Sequence, residues 1–391
     1  MDLLRGSMSS TSTQSTTNRS ASEASAQPSN PFVLRYGRRY LRDSTYPLPC
    51  DLPELNRQNL RTLLATSVFG KALCSPTIAQ RPPKKVLEIA CGSGYWSSMC
   101  NDYLEALGHS DVSFTGLDIV QLAPDLRLQG VNWRFVQHDL RKGTLPFGDE
   151  EFDFIVLKDL SLVVPLGPPS EHLLDECTRI LQTGGVLEVW ETDHIIRTLL
   201  PHPPLPPGQR SLDPDDERAV LTGTFLISPI TPFATAQNQY IQDANGWIQE
   251  ALDRRKLTPT PCARVSQILL QEPDTLTDIG YRRVAIPLGD PQWDRDSHLE
   301  RLPGTRRKSY HQKAKAKAEE LNEEQGALRH TALLTVIQMI ESLEPVLKEV
   351  SGRNQEEWQR WWGWMMEDLL EKKGASSGEC LEVGAWWARK V

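Results

Sequence analysis

The sequence predicts an α/β protein built on a doubly wound, mainly parallel sheet. From Lys85 onward, short apolar segments alternate with amphipathic ones, which is typical of parallel strands joined by crossover helices. The segment 152–157 is almost wholly apolar, as expected for a strand that helices cover on both faces. A glycine-rich turn follows the first apolar segment. Strands are therefore predicted at 86–90, 112–119, 131–137, 152–157 and 186–190, with a turn at Gly184-Gly185 before the fifth.

Two segments precede the predicted sheet. Residues 1–30 are rich in Ser and Thr and nearly free of large apolar groups, so we expect a disordered tail. Residues 31–84 form a lead-in, with an amphipathic helix that starts at the N-cap Asp51. Its predicted apolar positions are Leu52, Leu55, Leu60, Leu63, Leu64 and Val68.

The composition is that of an ordinary globular protein, with 391 residues, 39% of them hydrophobic and 24% charged. A formal charge of -8 argues against general nucleic-acid binding. No apolar run approaches the roughly 20 residues that cross a bilayer, and no signal peptide is evident, so the expected location is cytoplasmic or nuclear. The seven cysteines include no CxxC pair, which favours reduced thiols and predicts no metal site.

The turn at 86–95, VLEIACGSGY, carries the strongest functional signal. A glycine-rich bend between a strand and a helix exposes backbone amides and a helix N-terminus to a ligand. Glu88 is a poor residue to leave near an apolar sheet unless a polar group meets it. The pattern therefore predicts a ligand with hydroxyl groups or a positive charge.

The identity of that ligand follows from what the turn lacks. A nicotinamide-binding fingerprint places a third Gly or Ala three residues after the second glycine, and that position is Ser97. No phosphate-binding GxxxxGK[ST] motif is present. A nucleoside without a pyrophosphate, held by acids at strand ends, remains, and a nicotinamide oxidoreductase is the weaker alternative.

The segment 86–190 resembles the class I S-adenosylmethionine-dependent methyltransferases. Glu88 to Gly94 is similar to their acidic-glycine motif, with Ala90 at the usual first glycine. Asp118 matches the acid that ends strand two, and Asp139 matches the acid after strand three. The segments FDFIVLKDL and LQTGGVLEVWE match the fourth strand and the junction before the fifth. The resemblance implies S-adenosyl-L-methionine as cofactor, with Glu88 contacting its ammonium through water or bracing the loop.

The resemblance also implies roles for the other matched residues. Asp118 is expected to accept hydrogen bonds from both ribose hydroxyls, which a carboxylate does well. Asp139 is expected to face the adenine amino group, with the backbone of Leu140 at the ring edge. Gly92 and Gly94 are expected to let the backbone approach the amino-acid portion. Each acid has an alternative interpretation as a capping or turn residue.

The implied fold is Rossmann-like, with seven strands and an antiparallel seventh strand between the fifth and sixth. The sixth strand is predicted at 280–288 and the seventh at 380–390. The expected organisation is a core at 85–290, a helical insertion at 291–378 and a final strand at 379–391. The insertion has one apolar stripe at Leu333, Leu334, Val336, Ile337, Ile340 and Leu343, and another at Trp358, Trp361, Trp362, Met365 and Leu369. The tryptophan stripe is either an acceptor wall, a partner surface or helix-to-core packing.

A closer resemblance is to fungal methyltransferases related to the velvet-complex regulators. It is carried by RRYLRDSTYPLPCD at 38–51, LDIVQLAPDL at 117–126 and CLEVGAWWARKV at 380–391. The resemblance implies that the lead-in folds over the cofactor as a lid. Tyr36, Tyr40 and Tyr46 are then candidates for closing the pocket, the alternative being simple packing of an N-terminal extension.

Methyl transfer from a sulfonium requires no catalytic residue, because alignment and exclusion of water do most of the work. If a base is needed, Asp193 and His194 after strand five, or Lys158 and Asp159 after strand four, are candidates. The region 192–272 is expected to bind the substrate and cover the pocket, with one helical face at Tyr240, Ile241, Ala244, Trp247, Ile248 and Ala251. The acceptor is a small molecule, including a secondary metabolite, or a protein side chain.

Two further alternatives concern the rest of the chain. The basic run 301–317 is a nuclear-import signal, an RNA contact or a solvated helix whose charges pair at turn spacing. A methyltransferase-like regulator that acts through a protein partner, with little or no turnover, is the main functional alternative to an enzyme.

Overall fold

The structure, a computed structural model, describes residues 31–42, 44–201, 214–291 and 311–391, and it describes no side chains at 311–322. The predicted disordered tail 1–30 and residues 301–310 of the basic run lie outside the described residues. Within the described ranges, no helix combines the length and apolar character needed to cross a membrane.

Strands and helices alternate through the centre of the chain. The strands are β1 Phe32–Arg35, β2 Arg38–Leu41, β3 Lys85–Ile89, β4 Ser113–Asp118, β5 Trp133–Gln137, β6 Phe152–Lys158, β7 Leu181–Thr192, β8 Arg197–Leu199, β9 Phe225–Leu226, β10 Phe233–Thr235, β11 Leu276–Pro287 and β12 Glu379–Lys390. The α-helices are α1 Leu52–Phe69, α2 Tyr95–Ala106, α3 Pro168–Ile180, α4 Pro214–Thr222, α5 Gln239–Asp253, α6 Val265–Leu270, α7 His311–Ser342, α8 Glu344–Ser351 and α9 Gln355–Met366. Short 3₁₀ turns lie at Pro76–Ala79, Leu126–Gln129, Leu140–Lys142, Leu160–Leu162 and Pro261–Ala263, and a π-helical turn lies at Glu367–Glu371.

The predicted α/β fold with a mixed central sheet is confirmed. Strands β5, β4, β3, β6 and β7 are adjacent and parallel in that order. Strand β12 is antiparallel and lies between β7 and β11. The predicted count of seven was too low, because the described part of the sheet contains ten strands. The three extra strands, β8, β9 and β10, are only two or three residues long and lack the apolar runs that reveal a strand in a sequence.

The sheet is covered on both faces, as the apolar fourth strand predicted. Phe154 and Val156 of β6 pack into the apolar cluster that contains α1 and α2. The alternate residues, Ile155 and Leu157, pack into the cluster that contains α3 and α6. Successive side chains of a strand point to opposite faces, so only a strand with apolar residues at every position satisfies both layers.

The predicted turn at Gly184-Gly185 lies within the bounds of β7, but regular pairing of β7 with β6 begins only after it, at Val186. The pairing of β7 with β6 shifts register between Phe152 and Phe154, which marks an irregularity in the ladder. Gly184 has a φ of +76°, a conformation that favours glycine. Four residues of β7, from Gln182 to Gly185, stand opposite the single residue Asp153 of β6, so the chain turns here before the fifth parallel strand continues, as predicted.

The lead-in contains a β-hairpin that the sequence analysis did not predict. Strands β1 and β2 pair through a turn at Tyr36 and Gly37, whose φ angles are +49° and +76°. Helix α1 begins after Asp51 as predicted, and Arg38 of β2 donates to both carboxylate oxygens of Asp51 at 2.6 and 2.8 Å. Helix α1 therefore begins at a cap that is tied to the hairpin.

The buried face of α1 is more polar than its predicted apolar stripe. Leu64 and Val68 are buried, whereas Leu52 and Leu63 are exposed. Three charged side chains are buried on the same helix: Glu54, Arg57 and Arg61. Hydrophobic periodicity cannot identify such positions, because it assigns charged residues to the solvent face.

The tryptophan stripe of the helical insertion is helix-to-core packing. Trp358 and Trp361 of α9 are buried and lie 6.0 and 4.7 Å, between ring centroids, from Trp247 of α5. The guanidinium of Arg353 lies 4.9 Å above the ring of Trp247. This face of α5 is therefore occupied by the insertion, and the alternatives of an acceptor wall or a partner surface are not needed for these side chains.

Candidate functional site

A cavity lies over the carboxyl ends of β3, β4, β5 and β6 and beneath the lead-in. It encloses about 1010 Å³ between protein atoms, including its open mouth. Its floor consists of Ala90, Gly92, Asp118, Ile119, Val120, Leu122, His138, Asp139, Leu140, Arg141, Lys158, Asp159, Leu162 and Val163. Its roof consists of Leu41, Ser44, Tyr46, Leu48, Pro49, Cys50, Leu55, Gln58 and Arg61. The position matches the crevice in which open α/β sheets bind their ligands.

Asp118 lies at the centre of the floor. Its Oδ2 accepts from the backbone N–H of Gly92 at 2.8 Å, and its Oδ1 accepts from the N–H of Ile119 at 2.7 Å. Burial raises the pKa of Asp118, although these N–H donors oppose the rise. Each carboxylate oxygen has a second lone pair, so the side chain can still accept from two hydroxyl groups of a ligand.

The two glycines of the loop have different environments. Gly92 lines the cavity, and a Cβ at this position would lie 3.4 Å from Oε1 of Gln58. Gly94 does not line the cavity, and its Cβ would lie 3.0 Å from Cδ1 of Leu126. Ala90 lines the cavity with a φ of +56°, in the left-handed region that alanine rarely adopts. The structure thus places Gly92 and Ala90 at the cavity and Gly94 in the packing beneath it.

Glu88 does not line the cavity. Its side chain is buried, and its Oε2 accepts from the hydroxyl of Ser97 in α2 at 2.6 Å. Burial raises the pKa of Glu88 to about 7. Of the two roles expected for Glu88, the contacts correspond to bracing the loop against α2. Ser97 therefore supplies a buried hydrogen bond where a dinucleotide-binding turn has its third glycine.

Asp139 lines the cavity but already has a partner. It caps the turn Leu140–Lys142 and accepts from Nε and Nη2 of Arg141, both at 2.9 Å. The hydrogen-bonded Arg141 guanidinium holds the pKa of Asp139 below its usual value. Leu140 and Arg141 line the same wall of the cavity. Asp139 therefore caps a turn, as the alternative interpretation proposed, and it also lies at the cavity.

Only one of the three lead-in tyrosines lines the cavity. Tyr46 does so, and its hydroxyl accepts from Nε2 of Gln58 at 3.1 Å. Tyr40 is buried elsewhere and donates to the carbonyl oxygen of Ser342. Tyr36 is 62% exposed in the hairpin turn, with the ammonium of Lys348 above its ring. The prediction that Tyr36 and Tyr40 close the pocket is therefore wrong. Tyr36 lies in the exposed hairpin turn, and the side chain of Tyr40 is directed toward Ser342.

A charged cluster closes the cavity at the end of β6. Asp159 lies 2.8 Å from Nη2 of Arg61 and 2.9 Å from Nζ of Lys158. Burial alone would raise the pKa of Asp159, but the two cations outweigh it and hold the pKa well below its usual range. Asp159 has a φ of +57°, so the backbone is strained where this cluster forms. Arg61 was missed by the sequence analysis, and its spacing of three from Gln58 on α1 is the signal that could have found it.

Asp193 and His194 lie behind the cavity wall and do not line it. The hydroxyl of Ser161 donates to Oε2 of Glu191 at 2.7 Å and lies 3.1 Å from Nε2 of His194. Burial lowers the pKa of His194 to about 3, and its Nδ1 has no hydrogen-bond partner in the described structure. A base at the acceptor would have to reach the cavity, so the interpretation of His194 as that base is wrong for this arrangement.

The described residues of the predicted substrate region 192–272 lie away from the cavity. None of them lines it, and the lead-in forms the roof instead. The helix predicted in this region is α5, which packs on the tryptophans of α9. The region also adds the short strands β8, β9 and β10 to one side of the sheet, far along the strand order from β3 and β4.

Among the described residues, one group has the spacing of a metal site: Asp193, Cys262 and Glu382. Glu382 forms ion pairs with the guanidinium groups of Arg197 and Arg283. Two cations already neutralise this carboxylate, so a metal ion would have to displace them. The chemistry of the group therefore does not favour a metal.

The comparison with family profiles matches residues 86–185 to a family described as "Methyltransferase domain". Within these residues the chain is similar to that family, and the rest of the chain lies outside the match. The matched segment runs from β3 into β7 and contains the floor of the cavity, including Asp118 and Lys158. No curated protein matches the chain.

Solved structures also match the chain, at low identity, and some of them are described as methyltransferases. The phosphoethanolamine N-methyltransferase 2 of Haemonchus contortus, in complex with phosphomonomethylethanolamine and S-adenosylhomocysteine, is 12% identical, with 85% of this chain and 57% of that chain covered and a TM-score of 0.34. The N-methyltransferase NodS of Bradyrhizobium japonicum, in complex with S-adenosylhomocysteine, is 16% identical over 35% of this chain and 61% of that chain, with a TM-score of 0.25. The YcgJ protein of Bacillus subtilis is 13% identical over 85% of this chain and 98% of that chain, with a TM-score of 0.37.

Proposed function

We propose that the chain is an S-adenosyl-L-methionine-dependent methyltransferase. The observation that carries the proposal is the continuous cavity over β5, β4, β3 and β6, with Asp118 at the end of β4. Neighbouring strands lie about 4.8 Å apart, so the floor extends over about 14 Å from Asp139 to Lys158. That length suits an elongated ligand consisting of a nucleoside and an amino acid.

The residues of the floor fit the parts of this cofactor in order. Leu140 and Asp139 would hold the adenine, Asp118 would accept from the ribose hydroxyls, and Gly92 would leave room for the amino-acid portion. Glu88 would hold the loop in place through Ser97 rather than contact the ligand. When bound, the cofactor supplies an electrophilic methyl group on a sulfonium with a good leaving group. Gly94 serves the packing of the loop in this proposal.

The protein contributes orientation and exclusion of water. Tyr46 and Leu48 of the lead-in are buried or half-buried in the roof, so the lead-in would act as the lid over the cofactor. Asp159 is held ionised between two cations, which makes it a weak proton acceptor and a suitable electrostatic anchor. We propose that alignment of the acceptor with the methyl group drives the reaction and that no residue of this wall acts as a strong base.

We also propose the class of acceptor and a narrower family. The acceptor is a small molecule, including a secondary metabolite, or a protein side chain. The resemblance to fungal velvet-related methyltransferases is supported by the position of its lead-in segment, which forms the roof, and of 117–126, which follows Asp118 along the cavity. The proposed domain boundaries are a lid at 31–84, a core at 85–290, an insertion at 291–378 and a final strand at 379–391.

Calorimetric titration with S-adenosyl-L-methionine and with S-adenosylhomocysteine tests the proposal. We expect both to bind the wild-type chain and Asp118→Asn to weaken both by at least about tenfold, because hydrogen bonds to a charged group contribute about 1.5–3 kcal/mol. Asp125→Asn is the matched control, since Asp125 lies on the same loop and pairs with Arg127 outside the cavity. Failure of both ligands to bind the folded wild-type chain would contradict the proposal.

Mass spectrometry would then identify the acceptor. Extracts incubated with the chain and a donor that carries an isotopically labelled methyl group should contain a product heavier by that group. The Asp118→Asn variant is the negative control for this assay. Binding of the donor without any labelled product from extracts or purified proteins would favour the regulatory alternative.

A further inference from the structure

We infer that Arg61 of α1 binds the carboxylate of the donor's amino-acid portion, with Gln58 one turn earlier accepting from its ammonium. The inference rests on the proposed function and deepens it, because it assigns a helix of the lead-in to cofactor recognition. The donor's amino-acid end carries one negative and one positive group, so a site for it needs a fixed cation beside a hydrogen-bond acceptor.

The first observation is the incomplete pairing of Arg61. The residue is 4% exposed, lines the cavity, and forms an ion pair through Nη2 with Asp159. Its Nε is buried and has no hydrogen-bond partner in the part of the chain that the structure describes. Buried guanidinium donors are nearly always paired, since an unpaired one pays the full cost of losing water. A ligand anion at this wall would complete the pairing.

The second observation is the charge of the cluster. Among the residues that line the cavity at this end, two cations, Arg61 and Lys158, share the single carboxylate of Asp159, so the lining here carries one excess positive charge. The other acids that line the cavity are Asp118, which accepts backbone N–H groups, and Asp139, which pairs with Arg141. Neither lies at the end of β6. An anionic group of the ligand is therefore favoured at this end of the cavity.

The third observation is the position of the cluster beside the glycine loop. Ile89 of β3 pairs with Leu157 of β6, so the next residues, Ala90 and Lys158, are neighbours where the two strands end. Oε1 of Gln58 lies 3.4 Å from the place that a Cβ of Gly92 would occupy. The amide oxygen of Gln58 thus faces the loop that the amino-acid portion would cross. Gln58 and Arg61 lie three residues apart and therefore on one face of α1, which explains why both line the cavity.

The same helix is held firmly over the loop. The hydroxyl of Ser93 donates to Oδ1 of Asn59 at 2.6 Å, and Gln58 also donates to Oε1 of Glu54 at 2.9 Å. The Ser93–Asn59 hydrogen bond ties α1 to the loop, and the Gln58–Glu54 hydrogen bond, within α1, orients the Gln58 amide, so Gln58 and Arg61 need little rearrangement to meet a ligand.

The test is a cycle of two ligands and two proteins. S-adenosyl-L-methionine and decarboxylated S-adenosylmethionine are titrated into the wild-type chain and into Arg61→Lys. Lysine retains the charge beside Asp159, which protects folding, but its single ammonium cannot serve both Asp159 and a second carboxylate as a guanidinium does. We expect the wild-type chain to prefer the intact donor by about 10- to 100-fold and the variant to lose most of that preference.

Each outcome of the cycle is decisive. An unchanged preference for the carboxylate in Arg61→Lys, or an equal loss of affinity for both ligands, would overturn the inference and leave the proposed function standing. Failure of the wild-type chain to bind either ligand would overturn the proposed function itself.

Arg134→Lys is the control, because Arg134 forms one ion pair, with Glu151, away from the cavity. Gln58→Glu, which keeps the acceptor oxygen and adds a negative charge, should retain binding of both ligands, whereas Gln58→Met should weaken both about equally.

Discussion

The hydroxyl of Ser161 donates a 2.7 Å hydrogen bond to Oε2 of Glu191, and the backbone N–H of Ser161 donates to Oε1 of the same side chain at 2.9 Å. His194 approaches the hydroxyl from the other side, at 3.1 Å. All three side chains are buried next to the charged cluster that closes the cavity. This chain of polar groups is a source of pH-dependent stability.

Glu191→Gln should flatten the dependence of stability on pH. Burial, reinforced by the negative charge of Asp159, raises the pKa of Glu191 to about 8, above its unfolded value. The stability that its proton provides is complete below the unfolded pKa and is lost as the pH rises through the folded one. Between about pH 5 and pH 8 the wild-type chain should lose up to about 1.4 kcal/mol per pH unit relative to the variant, measured by urea unfolding.

A control separates Glu191 from the other buried acids. Glu88 and Asp193 also have raised pKa values and remain in both proteins, so their contribution cancels in the comparison. Glu356→Gln, at an exposed position of α9, should run parallel to the wild-type curve. Parallel curves for Glu191→Gln as well would show that this carboxylate does not control the pH dependence.

Alanine substitution should separate the two loop glycines. Gly94→Ala should destabilise the fold by about 1–3 kcal/mol, because a Cβ would lie 3.0 Å from Leu126 at a φ of +69°. Gly92→Ala should affect affinity for the donor more strongly, because its Cβ would point toward Gln58 at the cavity. Thermal unfolding and calorimetry on both variants check this. Equal effects of the two variants on affinity would contradict the assignment of Gly94 to packing.

Ala90→Gly should stabilise the fold by about 0.5–1 kcal/mol. The left-handed conformation costs an alanine about 1–2 kcal/mol, and glycine would remove that cost. Glycine also has greater conformational freedom in the unfolded chain, which offsets part of the stabilisation. Ala263→Gly is the control, since Ala263 is exposed and has no positive φ, and it should be slightly destabilising. A lower melting temperature for Ala90→Gly would show that the strain at Ala90 is offset by contacts of its methyl group.

Glu54→Gln should destabilise the protein by about 3 kcal/mol. Glu54 pairs with the buried Arg57 at 2.6 Å, and loss of its charge leaves that guanidinium uncompensated. Ser342→Ala removes only the 2.8 Å hydrogen bond from α7 to Glu54 and should cost about 1 kcal/mol. Urea unfolding measures both. Similar losses for the two variants would indicate that the link to α7, and not the charge of Glu54, stabilises α1.

The parallel sheet and the glycine turn at its edge were predictable from local pattern. Apolar runs such as 152–157 and the glycine turn at 92–94 each reflect a constraint that acts within a few neighbouring residues. Asp118 was predictable for the same reason, since parallel strands bring their carboxyl ends to one edge. The short strands β8 to β10 were missed, because pairing with distant strands creates them.

The partners of the polar side chains were decided by tertiary structure alone. Arg61 and Asp159 are far apart in the chain and meet only because α1 lies across the end of β6. His194 follows β7 as expected, yet the folded chain directs it to Ser161 behind the wall instead of into the cavity. Periodicity records which face of an element is apolar and carries no information about which charged groups meet across elements. The glycine loop could therefore be identified from the sequence, whereas the roof of the cavity above it could only be found in the folded chain.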